Sequence, residues 1–333
     1  MGFFVLLILF DIILIAFKFL NFKMKKIFGK ILNSYFIIIS FAFLFGIAFS
    51  EYLEKLSFFS TFFLGAIFFL SALKINLKEV IKYFHNKRKI FFANLFMLII
   101  LPALVYYFTL LIFPALAVAF LILAAMPSGM TDPLLSEIGG GKQSLALVLT
   151  VSTSLFAPLS IPFTIEFFAG EYVTVSFFDM FEVLAAVIFI PFVLAEFIKY
   201  FFREKIKKVS FSFKQISIIF LGFLIAGIVA KQADTIKESL FLGNSLHISY
   251  LAALFIFFIV LHFLAYFTAP WKQKKERMAT TICLTYMNFT LAIYLADKFF
   301  TDSNIIVPVI LSIIPWLALF LPFKYFTKKF NFI

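Results

Sequence analysis

Charge is scarce in this chain: only 14% of its 333 residues are Asp, Glu, Lys or Arg, and acids are the rarer sign, 17 against 29 Lys and Arg. Cysteine is nearly absent. Cys283 stands alone, which excludes an internal disulfide and a cysteine-based zinc site. The three histidines, His85, His247 and His262, are scattered in sequence, so no ligand cluster for a structural metal is visible. What fills the chain instead is apolar: 64% hydrophobic residues, 21% aromatic, 55 of them phenylalanine, with a mean hydropathy of +1.09. Such values exclude an ordinary water-soluble domain and describe an all-α polytopic membrane protein with the lipid bilayer as its solvent.

A helix crosses about 30 Å of hydrocarbon with about 20 apolar residues. Cutting the chain at its charge clusters predicts ten transmembrane helices, near residues 31–50, 57–75, 90–112, 115–138 and 143–168, then 180–201, 213–231, 248–269, 278–297 and 304–326. Almost nothing is left for a soluble domain. Lys and Arg in short loops stay on the cytoplasmic side, and alternate connections carry Lys23 to Lys30, Lys78 to Lys89, Lys199 to Lys214, Lys272 to Arg277, and Lys324 to Lys329. The opposite side carries only Lys55, Lys231, Lys237 and Lys298, among acids such as Glu51, Asp234 and Asp302. This alternation places the protein in the cell (plasma or inner) membrane with a cytoplasmic C-terminus. The net charge of +12 then belongs to loops facing anionic headgroups rather than to nucleic-acid binding. Residues 1–23 form a further hydrophobic helix containing Asp11, with positive charges behind it and no small-residue cleavage site. It reads as an extra span, an interfacial helix, or a segment ahead of a true start at Met24.

Ten spans divide into two blocks of five, residues 24–168 and 175–328, and an odd number per block reverses the second block in the membrane. That is the inverted-repeat topology of secondary transporters. The fourth span is interrupted by Met126-Pro127-Ser128-Gly129-Met130-Thr131-Asp132-Pro133. Two prolines without N–H groups and a permissive glycine should open the helix between Ala125 and Pro133 and let it resume at Leu134. Asp132 before Pro133 reads as the N-cap of the second half-helix, a role that needs no ligand. A second role is compatible with it: a carboxylate beside freed carbonyls attracts a cation, and an exposed half-helix N-terminus attracts an anion. The ninth span answers with Thr280, Thr281, Thr285, Asn288 and Thr290, so helices 4 and 9 are expected to be broken and to cross. Candidate ion- and substrate-binding residues are therefore Asp132, Thr131, Ser128, Thr150, Thr153, Ser154, Asn288, Thr285 and Thr290. Asn94 lines a cavity or makes an interhelical hydrogen bond, and His262 relays protons or packs with its hydrogen bonds satisfied. Cys283 is a soft ligand or inert. Trp271 and Trp316 are candidate interface anchors. No bound metal or cofactor is expected.

Two stretches carry a resemblance. Pro127-Ser-Gly-Met-Thr-Asp-Pro-Leu-Leu-Ser-Glu-Ile-Gly-Gly-Gly141 followed by Leu145-Ala-Leu-Val-Leu-Thr150-Val-Ser-Thr-Ser-Leu-Phe-Ala-Pro158 resembles the fourth and fifth spans of the bile acid:sodium symporter family, within the bile, arsenite and auxin-type transporter superfamily. Met287-Asn288-Phe289-Thr290-Leu291-Ala292 resembles its ninth-span Asn-x-Gly-Leu-Ala segment. The resemblance implies a panel domain and a core domain that move relative to each other, with the site at the crossed breaks. It also implies an ion-ligand role for Thr150, and Asn288 retains the family's asparagine. Other positions depart: Asp132 and Pro133 stand where sodium-coupled members have Ser and Asn, and Ala146 stands where they have a serine ligand. Cys283 takes the place of their glutamate, and Met287 and Met97 the places of glutamines. Cys, Met and Pro supply no hard oxygen for sodium, so Asp132 with Thr131, Thr150, Thr153 or Ser154 is expected to rebuild a single cation site.

The function expected is secondary active transport of a small organic anion, bile-acid-like or a carboxylate, by alternating access coupled to sodium or protons. The alternatives are a passive channel or facilitator, and an efflux carrier for arsenite-type oxyanions. Enzymes of the membrane interior fit poorly, because prenyl transfer wants an Asp-rich motif and an aspartyl protease wants two aspartates, whereas Asp132 is the single aspartate deep in the ten spans.

Overall fold

A computed structural model describes residues 35–75, 80–81, 87–170, 176–241 and 245–330. The N-terminal hydrophobic helix expected over 1–23, the start of the first block, His85 and some of the basic loops lie outside these residues. The described residues are mostly helical, apart from short connections and two breaks, as suits a backbone in lipid when no water can satisfy its N–H and C=O groups.

Its helices run in order as α1 (Tyr35–Ala48), α2 (Ser50–Lys74), α3 (Lys87–Ile112), α4 (Ala117–Ala125), α5 (Asp132–Ile138) and α6 (Gln143–Ala169). There follow α7 (Phe177–Phe202), α8 (Ser212–Lys231), α9 (Ala233–Phe241), α10 (Ser245–Thr268), α11 (Lys274–Thr285), α12 (Phe289–Phe299), α13 (Ser303–Leu311) and α14 (Ile313–Lys329). Among the described residues, seven helical segments are long and apolar enough to cross a membrane: α2, α3, α6, α7, α8, most of α10, and α13 with α14. The rest of the apolar backbone is in shorter pieces: α1, and the pairs α4/α5 and α11/α12, which stop and restart.

Packing sorts the helices into two groups. α1, α2, α7 and α8 pack on one another, and the remaining spans pack around α4, α6, α11 and α12. The second group holds the molecule's best-enclosed backbone, since every residue of α4 is buried. Phenylalanines serve both solvents, filling the interior at Phe120 and Phe258 and facing outward at Phe41, Phe58, Phe178 and Phe267. Prolines inside spans release carbonyls that must find other donors. Pro102 frees the Leu98 carbonyl within a π-helical turn at Phe96–Ile100. The Thr164 hydroxyl, at 3.3 Å from that oxygen, supplies the bond.

Candidate functional site

The two breaks meet. α4 stops at Ala125, Met126 turns extended, and α5 begins at Asp132. α11 stops at Thr285 and α12 begins at Phe289. Between these ends Ser128 and Met287 pair as an antiparallel bridge, and the Asn288 N–H donates to the Pro127 carbonyl at 2.8 Å. Backbone groups freed by one break are thus satisfied by the other, which is the condition for irregular backbone at membrane depth. The approach is close enough to require glycine: a Cβ on Gly129 would lie 2.7 Å from the Tyr286 carbonyl oxygen and 2.9 Å from Asp132 Oδ1. Gly141 is needed for the same reason beyond α5, where a Cβ would lie 2.9 Å from the Ala279 nitrogen of α11.

Asp132 does not cap α5. Thr131 is the residue ahead of the half-helix, without a side-chain cap. The Asp132 carboxylate instead reaches back into the break, where Oδ2 accepts from Ser128 Oγ at 2.6 Å and from the Gly129 N–H at 2.7 Å. The turn from Gly129 to Asp132 leaves those donors nearer than the first N–H groups of α5. Pro133, which has no N–H, removes one competitor. The other oxygen, Oδ1, is buried without a hydrogen-bond partner. It sits on the face of Gly129 that the Tyr286 carbonyl also approaches.

Three of the sequence candidates, Ser128, Thr150 and Thr153, connect to this carboxylate by hydrogen bonds, directly or through Ser128. Ser128 Oγ also lies 2.9 Å from Thr150 Oγ1, and Thr153 Oγ1 accepts from the Ser128 N–H at 3.1 Å. Cys283 is fully buried, with its thiol 3.7 Å from the Ala146 carbonyl of α6. Thr285 Oγ1 and Ser154 Oγ are buried without partners. Asn288 caps α12, its side-chain oxygen accepting from the Leu291 N–H at 3.1 Å, and Thr290 is buried in the first turn.

Other candidates are placed apart. Asn94 is the interhelical hydrogen bond, donating to Ser152 Oγ and to the Ile90 carbonyl and accepting from Ser152 Oγ at 3.1 Å. His262 has both ring nitrogens engaged, Nδ1 at 2.6 Å from the Phe258 carbonyl and Nε2 at 2.9 Å from the Tyr286 hydroxyl. That is the satisfied packing arrangement. Trp316 is not an interface anchor: it is buried against Tyr286 and Phe289 behind the crossing, because a large ring fills the gap that two broken helices leave. Residues that sequence reasoning did not place in the site are Tyr286 and Met130, and Gly129 was read only as opening the helix. A glycine between two prolines signals an opening, but its close approach to a partner is invisible without the fold.

A small cleft, with a cavity volume of about 20 Å³ and partly open to its surroundings, adjoins the crossing between the two helix groups. It is lined by Phe68, Ala72 and Ile75 of α2, Ile188 and Phe192 of α7, Thr150, Val151, Ser154 and Leu155 of α6, and Met130 of the break. The lining carries no charged side chain, and its hydroxyl-bearing residues are Thr150, which bonds Ser128, and Ser154.

Comparison with known proteins agrees with this geometry. Residues 61–239, more than half of the chain and including the fourth-span break, match the sodium bile acid symporter family. Over 197 residues the chain is 23% identical to the "uncharacterized sodium-dependent transporter YocS" of Bacillus subtilis (strain 168), a match covering 58% of this chain and 61% of that protein. The chain is a multi-pass membrane protein that belongs to the sodium bile acid symporter family.

Proposed function

We propose that the protein is a secondary active transporter that moves a small organic anion by alternating access, coupled to sodium or a proton taken up at Asp132. The observation that carries this reading is the bare, fully buried Oδ1 of Asp132, on the face of Gly129 that the Tyr286 carbonyl also approaches, in a carboxylate joined through Ser128 to Thr150 of an uncharged cleft. A buried ionised oxygen without a partner costs more than the ~1–3 kcal/mol of a neutral group, so the site is completed by a cation or a proton. Sodium is offered the Asp132 carboxylate, with the Tyr286 carbonyl on the same face of Gly129 and the Thr150 hydroxyl one hydrogen bond away through Ser128, without the glutamate whose place Cys283 takes.

The same arrangement couples ion to substrate. An anion entering a cleft without Lys or Arg meets the field of the Asp132 carboxylate and is repelled. With the cation bound that repulsion is gone, so each ligand favours the other, and by linkage the effect is reciprocal. The cleft as it stands holds a volume no larger than a water or two, so a substrate enters only when the two helix groups separate; the apolar side chains of Phe68, Ile188, Phe192 and Met130 then face a hydrophobic body, with the hydroxyls of Thr150 and Ser154 for a polar end. The ten spans then form two inverted repeats, residues 24–168 and 175–328, with α4/α5 and α11/α12 as fourth and ninth spans and the basic loops cytoplasmic.

The test is uptake into proteoliposomes under imposed sodium or pH gradients, after a thermal-shift screen against bile acids, short organic acids and pantothenate-like compounds. Asp132→Asn should keep the thermal transition of the unliganded protein while losing both ion-induced stabilisation and gradient-driven uptake. Unchanged coupled uptake in that variant refutes the ion role. Flux indifferent to any gradient in the wild type identifies a passive facilitator instead.

A further inference from the structure

The cleft lies at one end of the interface between the two helix groups, and the other end is tied. Thr61 Oγ1 of α2 lies 3.0 Å from the Tyr294 hydroxyl of α12. Lys231 Nζ, at the end of α8, donates to Asp297 Oδ1 of α12 at 2.7 Å. Ser303 Oγ, at the start of α13, donates to Gln232 Oε1 just after α8 at 3.2 Å. All three cross between the groups. Tyr294 and Asp297 are three residues apart on α12, so they share the face turned toward α2 and α8. Along α2, Thr61 and the cleft residue Ala72 are separated by roughly 16 Å at about 1.5 Å per residue. Near the cleft end the described polar ties run within a group instead: Lys199 donates to the Ala72 and Ile75 carbonyls, and Lys142 pairs with Glu276.

We infer that Thr61–Tyr294, Lys231–Asp297 and Gln232–Ser303 form a releasable latch that holds the interface shut at the end opposite the cleft, and that its opening exposes the site to the second side of the membrane. The inference rests on the alternating-access reading. Two rigid groups that rock about a fixed site exchange contacts at one end for contacts at the other, and the structure has polar contacts between the groups at one end and a small, mostly apolar cleft between them at the other. Burial makes the ion pair the strongest element. The Asp297 side chain is only 7% exposed while Lys231 is 47% exposed, so the lysine can withdraw into water and leave a carboxylate that is stable only if the interface opens to admit solvent.

Accessibility of the cleft measures the latch without substrate or ion gradient. Leu155 lines the cleft and is exposed, whereas the native Cys283 is buried. Leu155→Cys should therefore react from the basic-loop side with a membrane-impermeant maleimide. Asp297→Asn with Tyr294→Phe should slow that reaction about threefold or more, as the population moves toward the opposite-facing state. The charge swap Lys231→Asp with Asp297→Lys should restore it. An unchanged rate in the latch variants, or a swap that behaves like Asp297→Asn, overturns the inference. If Asp297→Asn loses its thermal transition, Thr61→Val, which removes one exposed hydroxyl, gives the same reading. Since Asp132 is intact throughout, failure here leaves the ion-coupling test standing, and failure of that test leaves this one readable.

Discussion

Adding one methyl group at Gly129 tests the crossing most sharply. A Cβ there falls 2.7 Å from the Tyr286 carbonyl oxygen and 2.9 Å from Asp132 Oδ1, both closer than real side chains come to such atoms. Neither obstacle is the loose end of a flexible chain. The carbonyl belongs to the residue next to the Ser128–Met287 bridge, and the carboxylate is held by two short hydrogen bonds. Overpacking of this kind costs about 1–3 kcal/mol, and the relief available is to push the Tyr286 carbonyl away from Asp132. Gly129→Ala should lower the thermal transition in detergent by at least a few degrees, at roughly 2–4 °C per kcal/mol for chains of 150–250 residues. It should also abolish stabilisation by the coupling ion even in the folded fraction. Gly170→Ala is the internal control. It has nothing within 4 Å and no positive φ, so it should be neutral or raise stability by about 0.4–1 kcal/mol through the unfolded chain. A Gly129→Ala protein with wild-type melting and ion response refutes the close crossing.

Asn94→Leu removes both hydrogen bonds with Ser152. Interhelical bonds in membranes average about 0.6 kcal/mol and reach about 1.7, so a small stability loss with intact coupling is expected, whereas lost coupling at unchanged stability would make Asn94 a site residue. Cys283 has no exposed surface, so maleimide should modify it only after denaturation and arsenite should not stabilise the protein; rapid native labelling or arsenite-dependent melting would revive the oxyanion reading.

Seven of the ten expected spans have a long apolar helix at their place, legible in sequence because lipid leaves the backbone no partner but itself. A long apolar run is then a helix wherever it occurs, and α3, α6 and α7 fall where apolar length and charge put them. The interruption after Ala125 was equally local, since two prolines and a glycine break a helix in any environment. Residue types at the two breaks named most of the candidate site, from Ser128 and Thr150 to Asn288. What they do there was not legible. Asp132 read as a cap because its neighbours in sequence offered that role, yet its carboxylate turns back to Gly129 and leaves an oxygen facing residue 286. Trp316 read as an anchor because tryptophan favours membrane interfaces, until packing behind Tyr286 enclosed it. Pairs such as Thr61 with Tyr294 join residues far apart in the chain. Sequence alone determined where long apolar helices run and where the fourth-span helix breaks, because those are costs each segment meets by itself. Which groups face one another across the breaks was decided by the tertiary structure, because a buried polar atom is satisfied by whatever the fold brings within about 3 Å, at any distance along the chain.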